Sequence, residues 1–86
     1  MNDERVTTTI LSIRFWASET PVSRLEGLVE TIADLHITYG IGCVFDHDNN
    51  LILRLKLKES VTKKDREVLE DILSDYGHYI RSTEES

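Results

Sequence analysis

Leu51-Ile52-Leu53-Arg54-Leu55-Lys56-Leu57-Lys58 decides the fold. Leucine holds every second position and Ile52, Arg54, Lys56 and Lys58 hold the others. This is the period of a strand with one face in a core and the other wet or bound to something. Upstream, Tyr39 to Phe45 reads as a second strand. The run Asp46-His47-Asp48-Asn49-Asn50 between them favours turns and tolerates left-handed backbone, so the two strands form a hairpin. Downstream, Thr62 with Asp65 three residues on predicts a helix start. Val68, Leu69, Ile72, Leu73 and Tyr76 supply its apolar stripe, and Gly77 is expected at the C′ position.

Further out, Thr7 to Trp16 is rich in β-branched and aromatic residues and predicts the first strand. Thr9, Leu11, Ile13 and Phe15 lie on its core side, and Ile10, Ser12, Arg14 and Trp16 on the other. Leu25, Leu28, Val29, Ile32, Leu35 and His36 recur at helical spacing after Ser18-Glu19-Thr20-Pro21. Two starts fit that helix: Thr20 as N-cap with Pro21 at the first helical position, or Ser23 as N-cap with Glu26 closing a capping box. It is expected to fade around Ile37-Thr38, before Gly40. His78-Tyr79-Ile80-Arg81 predicts a short last strand and Ser82 to Ser86 a polar, frayed tail. The order strand, helix, strand, strand, helix, strand is the α+β, ferredoxin-like βαββαβ pattern. Right-handed crossovers centre the first and third strands in a four-stranded antiparallel sheet and put both helices on one face.

The sequence has 86 residues, a formal charge of −6, 40% hydrophobic and 30% charged residues. Those values fit a single domain over 1–86, with an ordered core from about residue 6 to about residue 81. One cysteine excludes an internal disulfide framework and a Cys-rich zinc site. No apolar run reaches the roughly 18 residues a membrane helix needs, and Met1-Asn2-Asp3-Glu4 lacks the basic start of a signal peptide, so a cytoplasmic location is expected. The acidic balance argues against non-specific coating of nucleic acid or anionic membrane.

Enzyme chemistry finds little support. Cys43 lies mid-strand and is expected to face the core with Ile41 and Phe45, as a structural thiol. His36 on the apolar stripe of the first helix is expected to be packed or partly buried. Asp46, His47, Asp48, Asn49 and Asn50 lack EF-hand spacing and its closing glutamate, so a solvated turn is expected and no metal. There is no G-x-G-x-x-G, P-loop, H-E-x-x-H or G-x-S-x-G. Acylphosphate-hydrolysing enzymes of this fold cradle phosphate with a glycine-rich loop after the first strand. Here that loop reads Ala17-Ser18-Glu19-Thr20, acidic and without glycine. The expectation is a protein that is not an enzyme and carries no cofactor.

Charge is the stronger signal. Glu26, Glu30 and Asp34 on the first helix, and Glu67, Asp71 and Asp75 on the second with Glu70 beside them, form i, i+4, i+8 ladders pointing away from the apolar stripes. Like charges at this spacing cost a few tenths of a kcal/mol per pair, so four pairs cost about 1 to 2 kcal/mol. Lys63 and Lys64 crowd the second helix start, and Asp34 and Asp75 lie near helix ends, the reverse of what the helix dipole favours. Lys63 and Arg66 are placed to pair with Glu67 and Glu70, in the less favourable order. Successive rungs are about 6 Å apart, comparable with phosphate spacing along a strand. The ladders are therefore expected to dock a basic partner surface, one that normally holds nucleic acid. In size and acidity the chain resembles the anti-defence proteins of phages and other mobile elements.

The opposite sheet face carries Ile10, Arg14, Trp16, Ile52, Arg54, Lys56 and Lys58, a basic stripe with apolar residues among it. RNA-recognition domains of this topology use that face, stacking bases on aromatics, but only Trp16 is available here. Apolar residues interleaved with long amphipathic bases also suit a two-fold contact, so a homodimer is a second expectation. In that pairing and in element order the chain resembles ACT domains, which implies a dimeric ligand-sensing regulatory domain. Those domains usually have glycine at the start of the first helix, where this chain has Thr20-Pro21-Val22-Ser23, so no ligand residue carries over.

Overall fold

The computed structural model describes residues 9–86, so Thr7, Thr8 and the expected start of the core near residue 6 lie outside the described residues. Its elements are β1 Thr9–Trp16, a 3₁₀ turn Ala17–Glu19, α1 Val22–Asp34, β2 Thr38–Phe45, β3 Asn50–Leu57, α2 Lys63–Ser74 and β4 Ile80–Glu85. All pairings are antiparallel in the order β2-β3-β1-β4, with β1 and β3 central as the crossover rule requires. The fold is the expected α+β, ferredoxin-like arrangement. No helix among the described residues is long and apolar enough to cross a membrane.

One core carries the architecture. Leu11, Ile13 and Phe15 of β1 and Leu51, Leu53, Leu55 and Leu57 of β3 are buried against Leu28 and Ile32 of α1 and Leu69 and Leu73 of α2. The period-two and period-3.6 patterns thus converge on one sheet face. Gly27 of α1 faces the Tyr76 side chain from the turn after α2: a Cβ there would come 3.9 Å from the hydroxyl. The start of α2 is as expected, a capping box in which the Asp65 amide donates to the Thr62 hydroxyl and the Thr62 amide to the Asp65 carboxylate, both at 3.1 Å.

Four boundaries differ from the sequence reading. Neither proposed cap starts α1: Pro21 is the N-cap, and the Thr20 hydroxyl turns back to donate to the Trp16 carbonyl at 2.7 Å. Thr20 is buried, so this bond satisfies a hydroxyl that burial would otherwise orphan. At its other end α1 stops at Asp34, because His36 adopts the left-handed conformation (φ 57°) and drops Ile37 into the core. His36 is therefore exposed rather than packed on the apolar stripe.

Gly77 is not a left-handed C′ residue either. Its amide donates to the Ser74 carbonyl at 3.2 Å, and a Cβ would sit 3.3 Å from that oxygen, so close backbone approach explains the glycine. Finally, His78 and Tyr79 belong to the turn, and the last strand runs to Glu85, so Ser82–Glu85 is not a frayed tail. Backbone pairing with β1, from Phe15↔Ile80 to Leu11↔Glu85 across a bulge, holds it. An exposed edge strand of Ser, Thr and Glu carries no apolar alternation for sequence reading to detect.

Candidate functional site

The helix layer presents the ladders as drawn from the sequence. Glu26, Glu30, Asp34, Glu67, Glu70, Asp71 and Asp75 are all exposed. None lies within ion-pair distance of a cation among the described residues, where Arg14–Asp46, Arg14–Glu84 and Arg66–Glu85 are the pairs formed. Arg66 does not pair with Glu67 or Glu70; it reaches across to Glu85 on β4 and leaves the ladder without it. Neither helix has a base in its last turn, and α1 has no acid in its first. Asp34 and Asp75, at the helix C-terminal ends, thus sit against the dipoles without local compensation.

The open sheet face is more self-contained than its sequence implies. Cross-strand register places Ile10 beside Lys56, Ser12 beside Arg54 and Arg14 beside Ile52. Arg14 is engaged by Asp46 at 3.7 Å and Glu84 at 4.0 Å. The Arg81 guanidinium lies 4.5 Å from the Trp16 ring centroid, a cation–π contact that covers one face of the indole. Arg54 and Lys56 remain exposed and without an ion pair among the described residues, and Lys58 continues the stripe just beyond β3. Of the expected sheet-face set, Ile10, Ile52, Arg54 and Lys56 share a surface, while Arg14 and Trp16 serve a structural network as well.

That network went unseen in the sequence. Asn50 is 2% exposed; its amide nitrogen donates to Asp46 Oδ2 and its carbonyl accepts from Arg81, both at 3.0 Å. Asp46 Oδ1 accepts the Asp48 and Asn50 backbone amides at 2.9 and 3.0 Å. The Asn50 amide bond first, then these backbone amides and the Arg14 charge, hold the Asp46 carboxyl below the usual carboxylate range. Both its oxygens are used within the turn, with Asn49 left-handed at φ 62°. At the opposite end of the sheet, the Tyr39 hydroxyl donates to Glu59, lowering the Glu59 pKa and raising that of Tyr39.

No family model matches this chain, and neither does any curated protein. Its function must be argued from its own surfaces, and a third one lies between α1 and β2. Val22, Leu25 and Val29 face Ile41, Cys43 and Phe45 across a groove of about 660 Å³ floored by Leu51 and Leu53, with Glu26 and Glu30 at its rim. Cys43 does share the helix-facing side with Ile41 and Phe45, yet it is exposed, because α1 packs beside Ile41 but leaves the Cys43–Phe45 end of β2 uncovered. Phe45 is 73% exposed for the same reason. The sequence did carry a signal for this surface: β2 reads Thr-Tyr-Gly-Ile-Gly-Cys-Val-Phe, eight residues without a charge.

Proposed function

We propose that this protein is a non-enzymatic binding module, a small regulator or inhibitor that docks a basic partner surface through its helix layer. Glu26, Glu30, Asp34, Glu67, Glu70, Asp71 and Asp75 carry the contact. The observation that supports this most is the absence of compensation: seven exposed carboxylates on two helices with no ion pair among the described residues and no base in either last turn. Local rules broken without local gain mark the places where a sequence serves something other than its own stability. A partner supplying lysine and arginine would relieve the repulsion on binding and gain on-rate from the field.

The test is affinity capture from nuclease-treated host extract with wild type and with the Glu67→Lys, Asp71→Lys double variant. A basic protein retained at low salt, released by salt and lost in the variant is the expected result. Equal retention by the variant overturns the proposal.

A second reading, self-association through the open sheet face, draws on Arg54 and Lys56 standing exposed among half-buried Ile10 and Ile52. Sedimentation showing a monomer mass independent of concentration removes it. Arg81 over Trp16 argues against the RNA alternative, since a base would compete for that ring.

A further inference from the structure

The two edges of the sheet are unlike. β4 carries Arg81, Glu84 and Glu85, charges of the kind that discourage edge-to-edge pairing. β2 pairs only with β3 and carries no charge and no proline, so its outer edge is an unprotected row of backbone donors and acceptors. The Asp46 amide donates to the Asn50 carbonyl at 3.1 Å. Antiparallel alternation along the register then directs the backbone groups of Val44 and Gly42 to β3, and turns those of Phe45, Cys43 and Ile41 outward. These are the residues whose side chains line the groove under α1.

We infer that β2 takes an added antiparallel strand from a partner protein, an extended segment whose helix-facing side chains alternate aliphatic residues with arginine or lysine. Three features define this occupant. The free amides and carbonyls of Ile41, Cys43 and Phe45 supply the backbone ladder. The groove between Val22, Val29 and Ile41 takes the aliphatic side chains, and Glu26 and Glu30 at its rim take the cationic heads. On the other side the segment passes Gly40 and Gly42, where bare backbone borders Arg54 and Lys56, so neutral polar residues fit there and further bases do not. A second copy of this chain fits less well: two-fold pairing of β2 with itself would bring two Glu26–Glu30 ladders face to face. The inference rests on the helix-layer reading only for the sign of the partner's charge.

The probe is the peptide Thr-Val-Thr-Arg-Thr-Val-Thr, blocked at both ends and titrated to about 1 mM, where even millimolar affinity registers. Cys43 is the single cysteine, so its modification by a chromophoric disulfide reagent reports occupancy directly. Saturating peptide is expected to slow that modification and to raise hydrogen-exchange protection at Ile41, Cys43 and Phe45. Two peptides N-methylated on alternate sets of nitrogens separate backbone pairing from charge. Methylating the Val and Arg nitrogens should weaken binding about tenfold or more, while methylating the Thr nitrogens leaves it intact.

The Glu26→Lys, Glu30→Lys variant should weaken it about tenfold as well. Binding that ignores both methylation patterns but is lost in this variant overturns strand addition and leaves the helix-layer reading standing. Failure of the unmodified peptide to bind overturns the inference, and a mass that doubles with concentration and buries Cys43 replaces it with the second copy.

Discussion

Replacing Asp34 and Asp75 by lysine should make the protein more stable and a poorer binder. Asp34 ends α1 and Asp75 caps α2, both exposed, and each stands four residues after another carboxylate, Glu30 or Asp71. Each substitution turns a repulsive i, i+4 pair into an acid-then-base pair in the favourable order, and reverses the sign of the charge facing the negative end of the helix dipole. Taking the low end of each contribution, because both sites are solvated, gives about 1 kcal/mol per site and about 2 kcal/mol for the double variant. For a domain of this size that is a rise in Tm of roughly 8 to 16 °C. Urea unfolding should show it at about 20 mM salt and show much less at about 0.5 M, where the Debye length has shrunk from roughly 20 Å to roughly 4 Å. Most substitutions destabilise by about 1 kcal/mol, so a gain is diagnostic. A double variant no more stable than wild type at low salt, or a gain indifferent to salt, would refute the claim that these carboxylates are uncompensated. In the capture experiment the same variant should lose partner in proportion to the charge reversed.

Three further outcomes follow from the local structure. Asn50→Ala removes two hydrogen bonds to charged groups from a buried position and should cost about 2 to 3 kcal/mol in urea unfolding, since Asp46 and Arg81 can partly recover water; a loss under about 1 kcal/mol rejects the hub role. Because the folded state lowers the Asp46 pKa, the protein gains stability from it above the unfolded value of about 3.9 and loses that gain as pH falls through the lower folded value; unfolding midpoints that decline below about pH 4 in wild type and less in Asp46→Asn check this. His36→Gly relieves a left-handed side-chain-bearing residue and should stabilise by about 0.5 to 1 kcal/mol, whereas His36→Val should cost about 1 to 2 kcal/mol, both read by thermal unfolding.

The sequence carries those parts of the fold that bury something. Leu51, Leu53, Leu55 and Leu57 alternate because one face of β3 is core, and Thr62 with Asp65 is legible because a helix start needs side-chain acceptors. What escaped reading has no such signature. β4 is held by backbone pairing and exposes nearly every side chain, so Ser82–Glu85 looks like a tail. His36 ends α1 in a conformation usually left to glycine or asparagine, so the periodic pattern runs on past the true end. The ladders were legible because an exposed helix face follows from the 100° step alone. The groove showed only as an uncharged β2, since whether Cys43 is covered depends on how far α1 reaches over the sheet edge.

The net charge of −6 is a difference between two faces, and the structure says which face is spoken for. On the open face Arg14 of the basic stripe is engaged by Asp46 and Glu84 and the neighbouring Arg81 by Asn50 and Trp16, while Arg54 and Lys56 stay without an ion pair among the described residues. On the helix layer none of the seven ladder carboxylates is ion-paired among the described residues, and Arg66, placed to help, is taken by Glu85. The ladders cost about 1 to 2 kcal/mol against a total stability of about 5 to 15 kcal/mol for a domain of this kind, on the order of a tenth of the whole. One of the four like-charge pairs, Glu26–Glu30, lies at the rim of the open groove beside the uncharged edge. An acid ladder kept only for solubility needs no particular neighbour. Its juxtaposition with an unprotected strand and an apolar cleft favours a partner that brings backbone, aliphatic side chains and positive charge together.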